Sequence, residues 1–144
     1  NSSETESSYF YSDGRELKIS NERFRCPELL FKPNLNGFEF KGIHDLVFDS
    51  VMNCDINTRA DLFTNIILSG GSTMITGLPE RLDKEMKNLV PSRIRSKIIA
   101  PEYRGLNEWI GGSILGSLST YPQMSVSREE YKENGKDAIN KKCF

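Results

Sequence analysis

Asn65-Ile66-Ile67-Leu68-Ser69-Gly70-Gly71-Ser72-Thr73-Met74, continued by Ile75-Thr76-Gly77-Leu78-Pro79-Glu80-Arg81-Leu82, is the stretch from which the rest of the chain can be read. An apolar run rich in β-branched residues breaks into two glycines and hydroxyls. Pro79 then stands near the first turn of a segment whose apolar residues recur at helical spacing. The expectation is strand, tight turn, helix. Glycines at a strand end let backbone amides approach a ligand closely, and such amides can hold phosphate oxygens without a cationic side chain. The turn is therefore a candidate phosphate loop, although ordinary strand-to-helix turns also carry Gly-Gly for geometry alone. It is not the P-loop pattern, since no Lys-Ser/Thr follows, and it lacks the third glycine of the dinucleotide fingerprint.

Downstream, Leu78, Leu82, Met86 and Leu89 line one face of the predicted helix, with Glu80, Asp83, Lys84 and Lys87 on the other and Pro91 ending it. Lys97 to Ala100 reads as a second buried strand. Strand, helix and strand in this order imply a parallel pair with a right-handed crossover, which is α/β architecture with a ligand at the carboxyl ends of the strands. Asn107 is placed to cap a helix containing Trp109, Ile110, Ile114, Leu115 and Leu118. Its Gly111-Gly112 pair costs about 1 kcal/mol per glycine in helix propensity and is expected to permit close approach of another backbone. Ser127-Arg128-Glu129-Glu130 has the form of a capping box opening a helix near Tyr131, which Gly135 stops before a short terminal helix ending in Lys141-Lys142-Cys143-Phe144.

Upstream, residues 1–8 are polar and rich in Ser and Glu, the composition of a disordered lead-in, and residues 9–144 form the structured segment. Tyr9-Phe10-Tyr11 and Leu17-Lys18-Ile19 flank Ser12-Asp13-Gly14, whose Asp-Gly supplies the positive φ of a hairpin turn. A helical turn is expected around Pro27, with Leu29, Leu30 and Phe31 as core anchors. From Gly42 to Cys54, Ile43, Leu46, Val47 and Val51 recur at helical spacing, with Asp49 and Asn53 outward. His44, the only histidine, has no second ligand nearby and reads as a structural hydrogen-bonding group rather than a metal ligand. Asp55 to Thr58 makes a break before a short helix near Asp61 to Phe63.

The length, 144 residues, predicts one domain, able to bury roughly two-thirds of its unfolded surface. A formal net charge of −1 with mixed signs along the chain argues against nucleic acid or an anionic membrane as the main partner. Three cysteines, Cys26, Cys54 and Cys143, are an odd number without metal-type spacing. They are expected to be free thiols in a reducing compartment. No apolar run is long enough to span a bilayer.

Five separated motifs carry a resemblance: Asn21-Glu22-Arg23-Phe24-Arg25-Cys26-Pro27-Glu28, Leu68 to Met74, Lys97-Ile98-Ile99-Ala100-Pro101, Trp109-Ile110-Gly111-Gly112-Ser113-Ile114-Leu115, and Lys142-Cys143-Phe144. In this order and spacing they resemble the C-terminal part of an actin, with coverage from about Tyr9 to Phe144. The resemblance implies the second half of the actin-like ATPase (ribonuclease H-like) fold, incomplete, and with Asn1 in place of Met it reads as a fragment or processed piece. It further implies a subunit of a cytoskeletal filament in the cytoplasm, binding ATP or ADP with Mg. The hydrolytic and metal-contacting groups of the family lie outside this chain, so the chain alone is expected to be inactive.

What the resemblance carries over is one wall of the nucleotide cleft: Ser69, Gly70, Gly71 and Ser72 near the phosphates and ribose, and Met74 and Ile75 near the base. Ile75 replaces a residue that is often aromatic, and Gly105 falls where actins place a lysine over the adenine. Loss of that stem and charge predicts weaker nucleotide retention. Ile114, Leu115, Leu118, Thr120 and Met124 match residues lining the groove that receives an amphipathic helix of actin-binding proteins. Ser125 replaces a tryptophan at its rim. Glu130, Lys142 and Phe144 are implied contacts for a profilin-like partner, and Cys143 beside lysines is expected to be reactive. The implied partners are other actin protomers, profilin, cofilin, gelsolin-like proteins and myosin. The loop Pro33 to Phe40 matches one that contacts the opposing filament strand, with Asn36 where actins carry an apolar residue. Gly105 and Asn36 favour the alternative of an actin-like scaffold without nucleotide switching. A kinase or chaperone ATPase of the same superfamily would not explain the Trp109 segment or the Lys142-Cys143-Phe144 ending.

Overall fold

Met86 is 0 % exposed, Leu82 2 % and Leu78 5 %, so three of the four residues predicted to line the helix after the glycine turn are buried as expected, whereas Leu89 is only half-buried and Val90 joins the core in its place. In the computed structural model, which describes residues 6–142, the chain divides into two units. One is Asn1–Leu68 with Ile75–Ala100, the other Ser69–Met74 with Pro101–Phe144.

The first unit opens with a hairpin of β1 (Ser7–Phe10) and β2 (Glu16–Ile19), antiparallel with Tyr9 opposite Leu17. Gly14 turns it at φ +83°, as Asp-Gly predicts. Ser7 and Ser8 therefore belong to a strand rather than to the lead-in, and residues 1–5 lie outside the described residues. Helix α1 (Glu22–Glu28) carries Pro27 inside its last turn, where the ring leaves no N–H to donate back to the preceding turn. Of the three anchors expected after it, only Phe31 is buried, at 6 %, while Leu30 is 36 % exposed and Leu29 is half-buried.

Helix α2 (Ile43–Met52) follows. Ile43, Val47 and Val51 reach the core, but Leu46 is 51 % exposed. About 100° per residue swings Leu46 off the i, i+4, i+8 stripe, and Phe48 takes the flank instead. An Asp55 turn, whose carboxylate accepts the Asn57 N–H at 2.9 Å, leads into α3 (Arg59–Thr64). Strand β3 (Ile66–Ile67) pairs in parallel with β4 (Ile98–Ile99), Ile66 against Ile98. Helix α4 (Leu78–Leu89) crosses between them and ends just before Pro91. The core joins Phe31, Val51, Phe63, Leu68, Val90 and the α4 stripe.

His44 sits in this unit with 15 % of its side chain exposed, its ring 5.8 Å from that of Phe31. Among the described residues no group of three or more His, Cys, Asp or Glu is placed to hold a metal. Cys26 and Cys54 are free and exposed.

The second unit holds the glycine turn, folded as a 3-10 turn over Gly71–Met74, a second 3-10 turn over Arg104–Leu106, and four helices. These are α5 (Asn107–Ser117), α6 (Tyr121–Met124), α7 (Arg128–Asn134) and α8 (Asp137–Lys142). Asn107 is the first helical residue rather than the cap, because Leu106 holds the cap position and no side chain caps α5. No residue of α5 is buried. A Cβ at Gly111 or Gly112 would meet nothing within 4 Å, so the predicted backbone approach does not occur among the described residues. The capping box is present: the Glu130 N–H donates to Ser127 Oγ at 3.2 Å and the Ser127 N–H donates to Glu130 Oε2 at 2.9 Å. Gly135, at φ +57°, ends α7 as predicted.

Candidate functional site

The turn after β3 is built by hydroxyls, glycines and one arginine that the sequence reading did not single out. Gly70 adopts φ +92°, a conformation that favours glycine. Its N–H donates to the Arg104 carbonyl at 2.8 Å, and Ser69 Oγ reaches the same oxygen at 3.4 Å. The Gly70 carbonyl accepts from the Thr73 N–H at 3.0 Å and from Thr73 Oγ1 at 2.7 Å. Arg104 closes the arrangement from its side chain: Nε donates to the Thr73 carbonyl at 3.1 Å and Nη1 to the Pro101 carbonyl at 3.2 Å. Arg104 thus ties the two 3-10 turns together at both its main chain and its guanidinium.

This geometry sorts the predicted phosphate residues. The amide of Gly70 is engaged, whereas among the described residues those of Gly71 and Ser72 have no backbone acceptor, and both residues are exposed. Two free amides in succession beside a left-handed glycine fit a phosphate oxygen. Met74 is 47 % exposed and stands beside Gly105, where a Cβ would lie 3.4 Å from Met74 Cγ. Glu108, in the first turn of α5, has its carboxyl held below the usual range by the Ser69 hydroxyl, and then by its own backbone N–H.

Ile75 belongs to the first unit, where it packs on the core and lines a cavity of about 560 Å³ with Phe24, Phe31, Leu78 and Arg81. Arg81 lies 4.7 Å from the Phe31 ring centroid. Its guanidinium donates to both Glu28 oxygens and to Glu85 Oε1, and these bonds hold both carboxyls below their usual range and raise the Arg81 pKa.

The predicted groove residues are open to solvent: Ile114 58 %, Leu115 46 %, Leu118 46 % and Met124 43 % exposed, with Thr120 at the N-cap of α6. The two implied polar contacts meet each other. Lys142 Nζ donates to Glu130 at 2.8 Å and to the Ser125 carbonyl at 2.8 Å, and Lys142 followed by the Ser127 backbone lowers the Glu130 pKa. Cys143 and Phe144 lie outside the described residues. No helix among the described residues is long and apolar enough to cross a membrane.

The model of one protein family, described as Actin, matches residues 1–144.

Proposed function

The chain belongs to the actin family, and from that premise we propose that it is a cytoskeletal filament subunit that supplies part of an ATP-binding cleft and a groove for actin-binding proteins. The observation that carries the nucleotide part is the pair of acceptor-free amides at Gly71 and Ser72 beside the left-handed Gly70. In this reading the two amides hold a phosphate, Arg104 fixes the turn in a donor-outward form, and Met74 covers the ligand from the side. ATP or ADP with magnesium supplies the charge that the amides recognise. The apolar residues of α5 and α6 receive the non-polar face of a partner helix, and other actin protomers, profilin, cofilin, gelsolin-like proteins and myosin are the partners this implies. The cytoplasmic cytoskeleton is the corresponding location.

Gly105 supports a second reading, a scaffold that keeps the groove and has lost nucleotide switching, because no side chain at that position covers a base. The two readings part on nucleotide binding. In a titration of the chain with a fluorescent ATP analogue, Gly71→Val, which meets nothing within 4 Å at its Cβ, shades the free amides and weakens binding while leaving the far-ultraviolet dichroism unchanged. Equal binding by both proteins removes the turn from the site, and absence of binding by either favours the scaffold.

A further inference from the structure

Asparagine followed by glycine occurs twice in the chain, at Asn36-Gly37 and at Asn134-Gly135. The pair is chemically fragile, because a glycine has no side chain to keep its backbone nitrogen from the amide carbon of the asparagine. The fold treats the two pairs differently. Asn36 ends the 3-10 turn Pro33–Asn36, and Gly37 follows it at φ +77°, where a Cβ would meet nothing within 4 Å. Asn36 is exposed, and its side-chain amide has no hydrogen-bond partner among the described residues. The Gly37 N–H donates to the Asn34 carbonyl at 3.1 Å, within a type of turn whose hydrogen-bond geometry is poor. Asn134, by contrast, is half-buried and ends a helix opened by the Ser127 capping box. Its Nδ2 donates to the Glu130 carbonyl at 3.1 Å, and the Gly135 N–H donates to the Tyr131 carbonyl at 2.8 Å.

We propose that Asn36-Gly37 is a site of spontaneous covalent modification, at which the folded chain converts its own asparagine to aspartate and isoaspartate with water as the co-reactant. The Gly37 nitrogen attacks Asn36 Cγ and closes a cyclic imide. The bond from Cγ to Nδ2 breaks, and ammonia leaves with the proton that the Gly37 nitrogen gives up. Water then adds to one carbonyl of the ring. Addition at Cγ restores the ordinary main chain and yields aspartate, whereas addition at the backbone carbonyl routes the main chain through Cγ and yields isoaspartate. Either product bears a negative charge where the amide had none. The charge falls between Leu35 and Phe38, which are 63 % and 45 % exposed, so it enters an apolar loop surface. Attack requires opening of a short exposed turn at Asn36 but of a capped helix end at Asn134, and local opening is easier where few bonds and little buried surface hold the backbone.

The test is a time course of the full chain in neutral buffer, folded and in urea, followed by peptide mapping with mass spectrometry that separates asparagine, aspartate and isoaspartate. In the folded chain Asn36 is expected to convert about fivefold or more faster than Asn134, the factor that one further hydrogen bond to be opened is worth. In urea, where the fold no longer distinguishes the two pairs, the rates should converge. Asn36→Gln keeps an amide but must close a larger ring, so it should lose conversion at this position and leave the rate at Asn134 unchanged. Equal rates at the two pairs in the folded chain overturn the proposal. So does a folded chain that keeps Asn36 intact while the unfolded chain converts it, and so does a ratio that persists undiminished in urea.

Discussion

Arg81 Nη1 and Nη2 donate to the two carboxylate oxygens of Glu28 at 2.7 and 3.0 Å, a two-pronged bond that fastens α1 to α4 across 53 residues of sequence. The same guanidinium takes Glu85 one helical turn away and lies over Phe31. Both partners are about three-quarters buried, with 30 % and 26 % of their side chains exposed. Planar pairing of this kind is stronger than a solvated ion pair. Arg81→Met, which keeps the stem over Phe31, is expected to cost about 1–3 kcal/mol in urea unfolding, between the values for surface and buried pairs.

The same bonds predict an acid dependence. Glu28 and Glu85 are lowered from 4.5 by Arg81. A carboxyl with a depressed folded pKa adds stability that is complete above its unfolded pKa and lost as pH falls through its folded one. Wild-type stability should therefore fall on acidification below about 4.5 more steeply than that of Arg81→Met. Parallel pH profiles for the two proteins would remove the pair from the acid transition.

Gly42 is fixed by space rather than by φ. A Cβ there would collide with the Phe31 carbonyl and the His44 ring, and the collision with backbone cannot be relieved by a rotamer change. Gly42→Ala should cost about 1–3 kcal/mol or more, measured by denaturant midpoint. Gly71→Ala, with open space at its Cβ, serves as the control and should be close to neutral.

Met86, at 0 % exposure, is the most enclosed residue of the α4 stripe. Met86→Ala should lose about 2–5 kcal/mol by cavity formation, whereas Leu46→Ala, at an exposed position, should lose much less. Equal losses would contradict the assigned face of α2.

Gly105→Lys tests the base side of the turn. The position adjoins Met74, and a lysine stem there adds apolar cover. The expected outcome is slower release of a bound ATP analogue, read by stopped-flow chase.

The parts of the fold that were legible were those whose signal is local. The Leu78, Leu82 and Met86 stripe of α4, the Asp-Gly hairpin and the Ser127–Glu130 capping box follow from periodicity, turn stereochemistry and short-range hydrogen bonding, and the parallel sense of β3 and β4, though not the register of Ile66 against Ile98, follows from the strand-helix-strand order. Leu46 misled because a helical period admits both i+3 and i+4, and only packing chooses between them. Asn107 misled because a capping residue type does not fix where the first turn begins. The glycine turn was legible as a phosphate candidate, yet its builder was not. Arg104 acts on Thr73 across 31 residues, and Glu108 reaches Ser69 by tertiary placement, so neither leaves a pattern within any one window. Glu130 and Lys142 were each singled out from the resemblance, but their mutual bond depends on how α8 lies against α7.

The central claim, an ATP-binding filament subunit of the actin family, is tested most directly by sedimentation of the protein expressed in full from its transcript, with ATP and magnesium, while phosphate is followed in the same sample. The account predicts that protein enters the pellet and that phosphate is released as it does so. A protein that stays in the supernatant without releasing phosphate, yet still captures profilin, would contradict the nucleotide-driven filament and leave the scaffold in its place.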